Sequence, residues 1–293
     1  MRITEGMKYS AALQGQTRAA QRLFDASRVA SSGERVAAPS DDPTAWAAAV
    51  GHEARIARLS ARSTAATRAS GDLEAAESTL DGAGDLVQQA RELALTAANG
   101  SADPQTRANL ARQVTDLRAS LLGLANTRGA SGFLFGGTRT DQPPFDATTG
   151  AFTGNDTAAE VEVADGVTTR ANASGARAFT AAGGRDVFAD LQSLATALTA
   201  NSLTGIQGAI ASLDAGHQQI LSARVDAGIG LERLRSAAEV ADNASIRAHA
   251  ARASEVEADL TTALSDFTTA RAAYERGVSV TREILQVSAV GRF

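Results

Sequence analysis

The sequence predicts a mainly α-helical protein: a long antiparallel helical rod or coiled coil built from both chain ends, with a small β-rich insert in the middle. Three observations carry this. Leu, Ile, Val and Phe supply only 58 of 293 residues, while alanine, the strongest helix former, supplies 65. All five prolines fall at positions 39, 43, 104, 143 and 144, leaving residues 145–293 without a helix breaker. Apolar residues recur at spacings of three and four near both ends and alternate only in a glycine- and threonine-rich middle stretch. A single globule of this length would bury about three quarters of its surface and would need more bulk than is present. An elongated or self-assembling chain fits better.

The first helix is expected over about residues 5–32, where Tyr9, Leu13, Ala20, Leu23 and Ala30 share a seam that Gly33 stops. Pro39-Ser40-Asp41-Asp42-Pro43 then gives a turn, a capping Asp42 and a proline suited to the first helical position. The second helix runs from there to Asn99-Gly100. It carries an unbroken heptad of Leu73, Ala76, Leu80, Ala83, Val87, Ala90, Ala94 and Ala97, with Gly51, Gly71, Gly82 and Gly84 as points where it can bend. Asp103-Pro104 repeats the cap-and-proline start, and Leu110, Val114, Leu117, Leu121 and Leu124 form the third seam, which ends before Gly129. The stretch 129–184 is the β insert, in which Ala159–Val163 alternates, Asp165-Gly166 turns and Val167–Arg170 returns. Helical spacing resumes with Phe188, Leu191, Leu194 and Leu198, breaks near 201–205, and then runs from Ile206 almost to the end. The last part of that run holds Val256, Leu260, Leu264, Phe267, Ala270, Tyr274, Val278, Thr281 and Leu285. The domains expected are 1–42 with 255–293 as a terminal coiled coil, 43–129 with 187–254 as a helical rod, and 130–186 as an outer β-rich domain.

Composition excludes several functions. There is no cysteine, hence no disulfide framework, thiolate metal site or cysteine nucleophile. With 28 basic against 33 acidic residues and only Lys8 as lysine, no basic stripe for nucleic acid stands out. No apolar run approaches the ~20 residues of a membrane span, and no apolar segment of a cleaved signal follows the N-terminus. His52, His217 and His249 fall in no metal-ligand spacing and are read as solvated helix positions. Asp41-Asp42 could hold a divalent cation, but a helix cap explains the pair more simply. The phenylalanines at 133, 135, 145, 152 and 179 are read as the core of a small sheet rather than a ligand platform. Trp46, the lone tryptophan, sits at the joint between helical regions or at a subunit contact. No nucleophile, base and orienting group stand at a meaningful spacing, so neither catalysis, a cofactor nor a metal is expected.

The order of these features, with Ser31–Pro43, Arg91–Gly100 and Leu122–Thr127, resembles the flagellin superfamily. The two prolines around Asp41-Asp42 and the segment Gly132–Phe145 are similar to its hook-filament junction branch rather than to its filament subunits. The segment 286–293, with Gly291 and Arg292, is less apolar than the family's usual leucine-rich tail. The resemblance implies an extracellular structural protein of the bacterial flagellum, exported through the flagellar type III channel on uncleaved N-terminal information. It further implies a homo-oligomeric ring contacting hook-associated protein 1 on the hook side, flagellin on the filament side and an export chaperone before assembly. The terminal helices would order on assembly and line the inner tube. Tyr9, Leu13, Ala20, Leu23, Leu260, Leu264, Phe267, Tyr274, Val278 and Leu285 are the expected subunit-interaction residues, and Pro39, Ser40, Asp41, Asp42, Pro43 and Trp46 the joint. A pair of helices with so little bulk, at ~25 cal/mol per Å² buried, does not offset ~1–2 kcal/mol per ordered residue, which points the same way. The alternatives are a flagellin filament subunit and, in another class, an intracellular coiled-coil adaptor or a β-domain ligand binder.

Overall fold

The computed structural model describes residues 5–99 and 102–290. The Leu285 side chain and Gly291–Phe293, both singled out from the sequence, lie outside what is described. The chain is mainly α with long helices and a few short antiparallel strands in the middle. Helix α1 spans Glu5–Ser32 and stops where Gly33 takes φ +73° and its N–H closes on the Val29 carbonyl at 2.9 Å, a left-handed cap suited to glycine. Helix α2 spans Pro43–Ala98 and α3 Pro104–Ala125, each opening on a proline behind a capping aspartate. Two-residue strands β1 (Arg128–Gly129) and β2 (Gly132–Phe133) pair in the register Arg128 with Phe133. Strands β3 (Glu160–Ala164) and β4 (Val167–Arg170) form the expected hairpin around Gly166, whose φ is +72°. A short helix α4 (Gly175–Phe179) leads to α5 (Val187–Thr199), α6 (Leu203–Val256) and α7 (Leu260–Val290).

The expected single run from Ile206 to the end is therefore two helices, broken at residues 257–259. There the Ala258 N–H donates to the Gly33 carbonyl at 2.8 Å, Glu257 bridges Glu34, and Asp259 caps the new helix through the N–H groups of Thr261 and Thr262.

Two compact units result, residues 58–244 and residues 1–57 with 245–293. In the first, the α2 heptad from Leu73 to Ala97 is fully buried, and α6 runs antiparallel beside it. Arg224 donates to Glu77 at 2.7 Å and also to Asp81, Arg235 donates to Glu74 at 2.9 Å, and Arg91 meets Asp214 at 3.3 Å. His217 is half-buried, with Nδ1 3.2 Å from the Gly84 carbonyl, so it is a contact between helices and not a solvated position. The insert phenylalanines are a core, but not that of a sheet. Phe135, Phe145 and Phe179 cluster with Phe188 of α5 at ring-centroid distances of 5.4–5.9 Å, on the same buried core as Leu121 and Leu122 of α3. Phe133 stands apart under the Arg128 guanidinium at 4.6 Å.

Two polar residues with no signal in the sequence fix the loops. The buried Gln219 of α6 donates through its side-chain amide to the carbonyls of Ala178 (3.2 Å), Thr180 (3.1 Å) and Arg185 (3.0 Å), and accepts from the Arg185 N–H at 2.7 Å. The buried Arg107 of α3 donates to the Ala97 carbonyl at 3.0 Å and to Asn201, which holds the left-handed turn between α5 and α6 at φ +53°.

Candidate subunit-packing surface

In the unit made of residues 1–57 and 245–293, α1 and α7 pair antiparallel. Their facing positions are mostly small. Ala12, Gln16, Ala19, Leu23 and Ala26 are half-buried on α1, and Phe267, Ala270, Tyr274, Gly277 and Val278 on α7, where Ala263 and Thr281 are buried. The helices come so close at Gly277 that a side-chain carbon there would stand 3.9 Å from the Gln16 Cα. Of the residues singled out from the sequence, Leu23, Phe267, Tyr274 and Val278 thus lie in the pair's interface. Tyr9, Leu13 and Ala20 are exposed, as are Leu260 (58%) and Leu264 (49%). Phe24, which the seam count passed over, is 70% exposed, the most exposed large apolar side chain among the described residues of the two helices. It flanks a shallow groove of about 620 Å³ that also takes in Ala20, Leu23, Phe267 and Tyr274. Large apolar groups left out on a helix pair with little bulk inside it make a surface suited to packing against further helices.

The joint residues also lie in this unit. Asp41 accepts from the N–H groups of Ala37 (3.0 Å) and Ala38 (3.1 Å) and from Arg28 (3.3 Å). Asp42 accepts from the N–H groups of Thr44 (3.1 Å) and Ala45 (3.0 Å) and from Arg35 (3.3 Å). The N–H donors, of Ala37 first for Asp41 and of Ala45 first for Asp42, with the arginines adding to them, hold both carboxyls below the ordinary value of 3.8. Arg35 also donates to the Glu255 carbonyl at 2.7 Å, and the N–H groups of Arg35 and Val36 both reach the Val256 carbonyl. Trp46 packs half-buried on Val36, Ala45, Ala49 and Val256, at a joint rather than on a bare surface. The breaks between α1 and α2 and between α6 and α7 are thereby one structure: each loop supplies the backbone partners of the other.

Among the described residues no three His, Cys, Asp or Glu side chains are grouped to hold a metal ion, and no helix is long and apolar enough to cross a membrane. The aspartate pair is spent on backbone N–H groups and arginines.

Residues 3–140 match the family described as the bacterial flagellin N-terminal helical region. In sequence the chain is similar to flagellar hook-associated protein 3 of Salmonella typhimurium, at 32% identity over 180 residues, 61% of this chain and 57% of that protein. The matched stretch amounts to about half the length of the curated relatives. In fold it is similar to a Vibrio parahaemolyticus structure assigned as a flagellar hook-associated protein, with TM-score 0.67 and 22% identity over 74% of this chain and all of that one. The flagellar junction protein FlgL of Legionella pneumophila is also similar, with TM-score 0.57 and 16% identity over 72% of this chain and all of that one. The matched stretch, residues 3–140, takes in all of the described part of α1, all of α2 and α3 and the first two strands, and with them the whole Pro39–Pro43 joint.

Proposed function

We propose that the chain is a structural component of the bacterial flagellum, with no bond-making chemistry, and that a ring of its copies joins the hook, through hook-associated protein 1, to the flagellin filament. The observation that carries the reading is the α1–α7 pair: the two ends of the chain form one helix pair that keeps small residues inside and leaves Tyr9, Leu13, Phe24, Leu260 and Leu264 exposed. Neighbouring subunits would cover those groups, each large side chain gaining about 1.5–3 kcal/mol on full burial. The names of the sequence relatives support the hook-associated assignment, and the double proline at the joint supports the junction over the filament. Outside the cell, the protein would reach its place by flagellar export, held by an export chaperone beforehand. Residues 1–42 with 255–293 are the assembly segment in this reading, 43–129 with 187–254 the supporting rod, and 130–186 the outer domain.

Labelled antibody on isolated hook-basal bodies is the test. Label at the distal end of the hook, together with a deletion strain that sheds its filaments, is the expected result. Label along the whole filament, or purified monomer polymerising alone into long filaments, would replace the junction role with that of a filament subunit. Protein found only in the cytoplasm of flagellated cells would overturn both.

A further inference from the structure

In the unit of residues 58–244, a second feature is unrelated to helix packing. Strand β4, helix α4 and the middle of α6 enclose a cleft of about 330 Å³, at the small end of the ~300–1,000 Å³ typical of small-molecule sites. Its floor is apolar, made by Leu73, Ala223 and Ala227. Three arginines line it, in a chain whose net charge is -5. They are not equally engaged. Arg170 is tied to Asp156 at 3.1 Å and to Asn172 at 3.2 Å. Arg177 touches only Asp156, at 3.6 Å through Nε, which leaves the outer nitrogens of its guanidinium free. Arg233 has no ion-pair or hydrogen-bond partner among the described residues, nor has Asp226, about two helical turns before it on the same wall. Thr169 also lines the cleft. The residue is only 9% exposed, yet its hydroxyl keeps access to solvent and has no hydrogen-bond partner among the described residues.

We propose that this cleft binds a small carboxylate-bearing polyol of the hexuronic-acid type. The carboxylate bridges Arg177 and Arg233, whose planar donor forks match its two oxygens. Ring hydroxyls donate to Asp226 and exchange a hydrogen bond with Thr169, and the less polar face of the ring lies on Leu73, Ala223 and Ala227. A neutral hexose offers the two guanidinium groups only uncharged hydroxyl acceptors in place of a charge-assisted fork, and a simple inorganic anion leaves Asp226 and Thr169 unpaired, so the combination selects for one ligand carrying both functions. The site is independent of the flagellar reading, since none of these residues belongs to the helix pair formed by the chain ends.

The test is a calorimetric or NMR titration of the whole protein with galacturonate, with galactose and with acetate, at fixed ionic strength. Saturable binding of galacturonate with neither galactose nor acetate reaching saturation over the same range is expected. Arg233→Gln should weaken it about tenfold or more, the scale of a lost charge-assisted pair. Both Arg233 and Arg177 are exposed, so the variants keep the fold, and circular dichroism checks this. Thr169→Val serves as a second variant and should weaken galacturonate without creating affinity for acetate. Equal binding of galactose, binding that Arg233→Gln leaves unchanged, or no saturation by galacturonate would each overturn the proposal.

Discussion

The two units of this chain use the same alanine-rich helical pattern to opposite ends. In residues 58–244 the heptad of α2 is sealed: Leu73, Leu80 and Val87 sit against α6, and the aromatic cluster of Phe135, Phe145, Phe179 and Phe188 fills the space beside α3 and α5. In residues 1–57 with 245–293 the facing positions are mostly small, with Leu23, Phe267, Tyr274 and Val278 among them, while Leu13, Phe24, Leu260 and Leu264 stand in solvent. A seam of small residues lets backbones approach closely, but it buries little area, so the second unit is short of its own stabilisation. The contrast teaches that the scarcity of bulk is local. One unit carries a sealed core of its own, and the other leaves Phe24, Leu260 and Leu264 uncovered.

The largest effect expected from breaking this contrast comes from paired truncations. Phe179→Ala should destabilise by about 3–5 kcal/mol in thermal or urea unfolding, because it empties a buried aromatic site. Phe24→Ala should change monomer stability by no more than about 0.5 kcal/mol, as expected for a surface position, while reducing incorporation into flagella. A large loss of monomer stability from Phe24→Ala would mean that α1 and α7 are core and not interface.

Gln219→Ala comes next. It removes four hydrogen bonds to residues 178–185 and strands buried carbonyls, with an expected cost of about 3 kcal/mol, read in the same unfolding curves. Faster amide exchange confined to 178–185 would accompany it.

Glycine replacement sharpens the comparison further. Gly71 and Gly15 lie inside α2 and α1 with open space where a Cβ would go. Gly71→Ala should raise the main unfolding transition, by about 0.5–1 kcal/mol. Gly15→Ala should instead raise helix content by circular dichroism without moving that transition.

The smallest effect concerns acid. The Asp41 and Asp42 carboxyls are held below 3.8 in the folded chain, so the unfolded chain takes up their protons first. Their contribution is complete above the ordinary carboxylate range and is lost as pH falls through 3.8 and below. Fluorescence of Trp46, the only tryptophan, should report loosening of the joint in that window and nowhere between pH 5 and 8, and the paired change Asp41→Asn with Asp42→Asn should abolish the acid step.

Much of the fold was legible beforehand because its signals are short-range. Asp42-Pro43 and Asp103-Pro104 set helix starts through the fixed φ of proline and a side-chain acceptor, and both helices begin there. The β3–β4 hairpin followed from Asp165-Gly166 between alternating residues. The break at 257–259 was not legible, since Val256 and Leu260 keep their helical spacing across it and the deciding bonds come from Gly33 and Glu34, more than 200 positions away. Gln219, Arg107 and His217 gave no signal either, because a polar residue in a helix looks solvated until another segment supplies its partner.

The candidate surface divides in the same way. Spacing named Tyr9, Leu13, Leu23, Phe267 and Tyr274 as one stripe on each helix, but only the packed pair separates the half-buried Leu23, Phe267 and Tyr274 from the exposed Tyr9 and Leu13, and adds Phe24.

The sequence by itself determined that this protein is built of long helices with a β-rich interruption, where most of them begin, and that its large apolar residues are too few for one uniform core, since propensity, capping and periodicity act within a few residues of the chain. Tertiary structure alone decided which seam is sealed and which is left open, where the last helix breaks, and that Arg177, Arg233, Asp226 and Thr169 share one cleft, because those outcomes depend on contacts between segments that the chain brings together only by folding.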